Sequence, residues 1–152
     1  MGLSYWEYKT WLSNVDFTII GSGLVGLNCA LHLKEKHPKS KVLVLEKGSL
    51  PQGASTKNAG FACFGSISEI LSDLKTHTEE EVVALVQKRW RGIQTLRQLL
   101  GDGPIGFEQH GGHELFLAHH QELHENCSAE MERLNKLLRP VFGDDPFVAT
   151  EN

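Results

Sequence analysis

The chain has 152 residues, enough for one domain with a real core and too few for two ordinary ones. Its 40% hydrophobic and 22% charged residues lie somewhat below globular averages, yet outside the range of disorder. A net charge of −4 gives nucleic-acid binding little support, and three cysteines without CxxC spacing argue against a disulfide framework or a Cys-rich zinc site.

That cysteine usage suits a reducing compartment. No run approaches the roughly eighteen apolar residues of a membrane span. The N-terminus lacks the basic and apolar regions of a signal peptide. These features predict a soluble, cytoplasmic protein with no transmembrane segment, and they leave the oligomeric state open.

Ser4 followed by Glu7 is a capping-box signal, and predicts a short helix over Ser4 to Leu12. Its Tyr5, Trp6, Tyr8 and Trp11 are expected to cover part of a core. Phe17 to Ile20, β-branched and aromatic, reads as a strand running straight into Gly21-Ser22-Gly23-Leu24-Val25-Gly26. Leu24, Leu27, Ala30 and Leu31 then recur at helical spacing, and the helix ends in Lys34 to His37 before Pro38. Lys41 to Leu45 is a near-continuous apolar run, the pattern of a strand buried on both faces of a parallel sheet. Glu46 follows at once. The unit is strand, turn, helix, strand.

From Gly48 to Gly65 the chain is rich in small residues and lacks periodicity, which is unusual in a compact domain unless the loop binds something. Ser66 with Glu69, and Thr78 with Glu81, are two more capping signals. The first precedes a short helix. The second opens a longer one with Val82, Leu85, Val86, Ile93, Leu96 and Leu100 on its apolar face, stopped by Gly101. Ile105 to Glu108 and Glu114 to Leu117 flank Gly111-Gly112 and read as two strands. A last helix through Leu123, Cys127, Met131, Leu134 and Leu138 is expected to end at Pro140.

Gly21 permits a tight turn, Gly23 lets a pyrophosphate approach the backbone, and Gly26 lets the helix pack close to the strand. The helix N-terminus offers N–H groups and a positive partial charge to phosphates. Glu46 lies twenty residues past Gly26, the spacing at which a carboxylate accepts hydrogen bonds from an adenosine ribose. Its charge repels a 2′-phosphate, so NADP is disfavoured. NAD and FAD both remain.

Residues 16 to 66, with this fingerprint, Glu46 and Gly53-Ala-Ser-Thr-Lys-Asn-Ala-Gly-Phe61, resemble the start of the D-amino-acid oxidase superfamily. These FAD-dependent amine and amino-acid oxidoreductases include glycine oxidase and sarcosine oxidase. The resemblance implies FAD as cofactor, and a Rossmann-type βαβ unit followed by the start of an α+β substrate domain, an incomplete fold. It implies that Gly21, Ser22, Gly23, Leu24 and Gly26 hold the pyrophosphate, Glu46 the ribose, and that Lys47 sits beside the adenine. The loop with Ser55, Thr56, Asn58, Ala59 and Gly60 would run under the flavin, with hydroxyls donated to phosphate or flavin oxygens. Residues 1–104 would be the first part of the FAD-binding domain and 105–152 the opening of the substrate domain. The substrate would be a small amine or amino acid, oxidised at a C–N bond by hydride transfer to flavin.

No catalytic residue is assigned, because the family's substrate-anchoring positions lie beyond position 152. Asn152 is expected to be a cut in a chain more than twice as long, and these residues alone to bind FAD weakly and turn over no amine. The competing readings are an NAD-dependent dehydrogenase and a non-catalytic nucleotide-binding module. Five of eight histidines fall between His110 and His124, and His120 and His124 have i, i+4 spacing. The zinc-protease pattern fails at Gln121, so no metal site is expected. Cys63 has no neighbouring cation to activate it and reads as a packing residue.

Overall fold

The computed structural model describes residues 2–150. They form two compact units, divided between Phe61 and Ala62. The fold is mixed α/β with a small parallel sheet, as the sequence leads one to expect.

The first unit opens with one turn of helix, α1 (Tyr5–Glu7), continued by a wider π-helical turn (Tyr8–Leu12). Ser4 and Glu7 form the expected reciprocal cap. The aromatic rings do not cover a core: Tyr5, Trp6, Tyr8 and Trp11 are all more than half exposed. One capped turn followed by a wide turn presents its side chains around the axis rather than along one stripe. Strand β1 (Phe17–Ile20), helix α2 (Leu24–Lys36) and strand β2 (Val42–Leu45) follow. The strands pair in parallel from Phe17 opposite Val42 to Ile20 opposite Leu45. Asp16 fixes the entry by accepting the Lys41 N–H at 2.7 Å. Neither strand is fully buried. Ala54–Thr56 forms a single 3-10 turn in the loop that follows.

The second unit is helical. Helix α3 (Ile67–Asp73) starts at Ser66 and α4 (Glu79–Leu100) at Thr78, each with the reciprocal box its sequence encodes. A short α5 (Asp102–Ile105) leads to a long irregular segment, a 3-10 turn (Ala118–His120), and α6 (Gln121–Phe142). Ile67, Ile70 and Leu71 of α3, Val82 and Val86 of α4, and Cys127, Leu134 and Leu138 of α6 make one apolar cluster. Ile70, Leu134 and Leu138 have no exposed surface, and burying each side chain contributes roughly 1.5–3 kcal/mol.

Besides the exposed aromatics and the second strand, which is not buried on both faces as expected, two further sequence expectations are corrected. Residues 105–108 and 114–117 are not strands: Ile105 ends α5, Gly106 turns left-handed, and the remainder is irregular. Individual anchors hold this segment in place of a ladder. The Arg97 guanidinium lies 4.5 Å from the Phe107 ring centre, and Glu114 accepts hydrogen bonds from the backbone N–H and hydroxyl of Ser68. Phe116 packs against His124, with ring centres 5.2 Å apart. Helix α6 also runs through Pro140 to Phe142. Proline removes one hydrogen bond there, but Phe142 is anchored against Phe64 and Trp90, at 4.4 and 5.3 Å between ring centres.

Candidate functional site

The glycine turn between β1 and α2 is shaped by three steric demands. Gly21 sits at φ +96°, a conformation that L side chains rarely adopt, and its N–H bonds the Leu45 carbonyl of β2. A Cβ on Gly26 would stand 2.0 Å from the Gly21 carbonyl oxygen and 3.3 Å from the Ile19 side chain, so α2 approaches β1 only because hydrogen is there. A Cβ on Gly23 would meet the Ser55 hydroxyl at 2.9 Å.

Gly23 is also the N-cap of α2, and it has no side chain to cap with. The Leu24 N–H instead donates to the Ser55 Oγ at 2.9 Å, from thirty-one residues away. Because Ser55 uses its oxygen as acceptor, its hydroxyl proton is left to donate outward. A helix that begins on glycine, without Ser, Thr, Asp or Asn, is the signal in the sequence that such a partner has to come from elsewhere.

Glu46, just past the end of β2, is held by the same turn. Its Oε2 accepts the Ser22 N–H and the Ser22 hydroxyl, each at 2.8 Å. Its Oε1 accepts the Lys47 N–H at 3.0 Å, with the Gly48 N–H longer at 3.4 Å. The Ser22 backbone N–H, then its hydroxyl, then Gly48 hold the Glu46 carboxyl below the usual carboxylate range. Glu46 is thus an ionised acceptor beside the glycine turn.

The rest of the loop is organised internally. Thr56 turns its hydroxyl to the carbonyls of Pro51 and Gly53, at 3.0 and 3.2 Å. Asn58 donates to the Ser55 carbonyl at 2.9 Å and accepts the Gly60 N–H at 2.8 Å, fixing Gly60 at φ +77°. The structure therefore brings Gly21, Ser22, Gly23, Leu24, Gly26, Glu46 and Ser55 together. The hydrogen bonds of Thr56 and Asn58 stay within residues 51–60, while Ala59 is exposed.

Elsewhere, Cys63 and Cys29 are exposed, so Cys63 is not the packing residue expected from sequence. Only Cys127 is buried among the three, and burial, then the charge of Glu114, pushes its thiol upward. His120 lies in the 3-10 turn, one residue before α6, whereas His124 is on the helix. Among the described residues no three His, Cys, Asp or Glu side chains gather as a cation site, and no helix is long and apolar enough to cross a membrane.

The arrangement suits a dinucleotide with a free ribose 2′-hydroxyl. It combines a backbone cradle that side chains would fill, a helix start without its own side-chain cap, and an oriented carboxylate. Comparison with known proteins bears on which dinucleotide. L-aspartate oxidase 1 of Ralstonia nicotianae is 38% identical over 66 residues, which cover 43% of this chain and 11% of that protein. The chain thus spans a small share of that relative's length. No solved structure matches the chain. The family model described as FAD dependent oxidoreductase matches residues 16–144, from the strand that carries the glycine turn to the end of the last helix. With most of its length matched, the chain belongs to the family of FAD-dependent oxidoreductases.

Proposed function

We propose that the turn between β1 and α2 binds the adenosine diphosphate half of FAD, in an oxidoreductase that oxidises the C–N bond of an amine or amino acid. The observation that carries the cofactor reading is the Glu46 carboxylate held on the glycine turn. The substrate class rests on the family match and on the amino-acid oxidase named among the relatives. Bound FAD would supply the acceptor for a hydride, which carries the electron pair of the oxidised bond.

The roles of this chain's residues follow from their chemistry. Gly21 and Gly23 leave the backbone open to the pyrophosphate, and the positive end of the α2 dipole faces its charge. Glu46 accepts hydrogen bonds from the ribose and repels a 2′-phosphate. Ser55 donates its free hydroxyl proton to phosphate. Lys47 lies beside the adenine. Thr56 and Asn58 hold the shape of the loop, so that Ala59 and Gly60 offer a small surface to the flavin. Residues 1–104 belong, on this reading, to the FAD-binding part and residues 105–152 to the opening of the substrate domain. No residue of the chain is assigned to catalysis.

Titration of the protein with FAD, followed by flavin fluorescence, tests the reading. Saturable binding that weakens in Glu46→Ala is the expected result. Binding of NADH with no binding of FAD would instead establish the dehydrogenase reading.

A further inference from the structure

Ser22 is the residue of the glycine turn before α2 that is not glycine, and it faces the Glu46 carboxylate rather than open space. Both donors of Ser22 converge on a single oxygen of Glu46, at 2.8 Å each. The other donors to that carboxylate, Lys47 and Gly48, are backbone N–H groups just after Glu46 itself. The Ser22 hydroxyl is therefore the one side-chain donor to Glu46 among the described residues, and it comes from the β1–α2 turn, 24 residues away in the chain. Any residue at position 22 supplies the N–H. Only a hydroxyl-bearing side chain supplies the second donor.

We propose that Ser22 is a positioning residue for the cofactor's ribose: its hydroxyl fixes the Glu46 carboxylate and does not bind the pyrophosphate. This rests on the FAD reading above. A glutamate carboxylate next to solvent samples several rotamers about its three side-chain torsions, and two converging donors on Oε2 select one. The selection turns Oε1, whose Gly48 contact is long at 3.4 Å, toward a ribose hydroxyl that takes the place of that weak donor, and keeps the negative charge where a 2′-phosphate would lie. Ser22 thus governs affinity and selectivity at the adenosine end without touching the ligand.

The test is a double-mutant cycle on FAD affinity, using Ser22→Ala and Glu46→Ala alone and together in the full chain. With Glu46 present, Ser22→Ala is expected to weaken FAD binding about threefold to tenfold, the worth of one charge-assisted hydrogen bond near solvent. Without Glu46 it is expected to cost nothing, and Ser22→Thr is expected to restore affinity. An equal loss in both backgrounds means that Ser22 touches the ligand itself, and overturns the proposal. So does no loss in either background. A ligand-free measurement separates this from the cofactor reading. The carboxyl carbon of Glu46, followed by NMR against pH, is expected to titrate higher in Ser22→Ala. An unchanged titration sinks the Ser22 contact even if FAD binds. A wild-type chain that titrates as expected yet binds no FAD keeps the contact and sinks the cofactor reading.

Discussion

Residues 62–150 and residues 2–61 obtain order by different means. The second unit holds every buried side chain among the described residues, gathered from α3, α4 and α6 around Ile70, Leu134 and Leu138. Helices α3 and α4 start on capping boxes, each complete within its own segment. The first unit has no buried residue among those described, and Ile20, Val25 and Phe61 are each at least 85% exposed. Its order comes from polar contacts that span the sequence: Ser22 with Glu46, Leu24 with Ser55, and Asp16 with Lys41. The difference teaches that the glycine turn is kept open at the expense of local satisfaction. Its helix start is left without a side-chain cap, and its glycines carry no packing surface.

The largest effect expected from this contrast lies in the second unit. Leu134→Ala should cost about 2–5 kcal/mol of stability, read by urea denaturation, because it deletes a fully buried side chain of α6. A cost under about 1 kcal/mol would mean that the cluster is not the core of that unit.

Two helical glycines sharpen the comparison. Gly26→Ala forces a Cβ against the Gly21 carbonyl oxygen at 2.0 Å, a backbone atom that cannot step aside. It should cost about 1–3 kcal/mol and weaken whatever FAD binding the wild type shows, checked by circular dichroism and FAD titration. Gly92, in the middle of α4, has nothing within 4 Å of a built Cβ. Gly92→Ala should raise stability by about 0.5–1 kcal/mol and leave FAD affinity unchanged. Equal behaviour of the two variants would break the distinction between a glycine kept for approach and one that is replaceable.

A smaller effect belongs to the caps. Thr78→Ala should cost about 1 kcal/mol, because the Glu81 N–H loses its acceptor. Restoration by Thr78→Ser, measured by thermal unfolding, would assign the loss to the cap. The smallest effect is on the acid side. The Arg97 guanidinium, 2.8 Å away, holds the Asp102 carboxyl below its ordinary value. Its contribution is fully present above the unfolded carboxylate pKa of about 3.9 and is lost as pH falls through the folded value. Asp102→Asn should therefore flatten the acid limb of the stability profile slightly and leave neutral pH nearly unaffected; an unchanged acid limb would remove the pair from the account.

What was legible in the sequence is what a short segment dictates by itself. Ser4 with Glu7, Ser66 with Glu69 and Thr78 with Glu81 announce helix starts because both halves of each box lie within one turn. The strand, glycine turn, helix and second strand were readable because hydrophobic period and glycine spacing are local. Residues 105–117 were misread for the complementary reason. An apolar run becomes a strand only where a neighbour offers a ladder, and here Arg97, Ser68 and His124 capture the side chains one at a time. The fate of the N-terminal aromatics also depended on the chain around them, and four rings at suggestive spacing stayed in solvent.

The sequence by itself determined the fingerprint, its acidic partner and the helix starts that carry capping boxes, since each is encoded within one segment or at a fixed separation. Tertiary structure alone decided that Ser22 serves Glu46, that Ser55 caps α2 from thirty-one residues away, and that Thr56 and Asn58 bind their own loop. A hydroxyl takes the partner that folding brings within 3 Å, and no spacing in the chain specifies that choice.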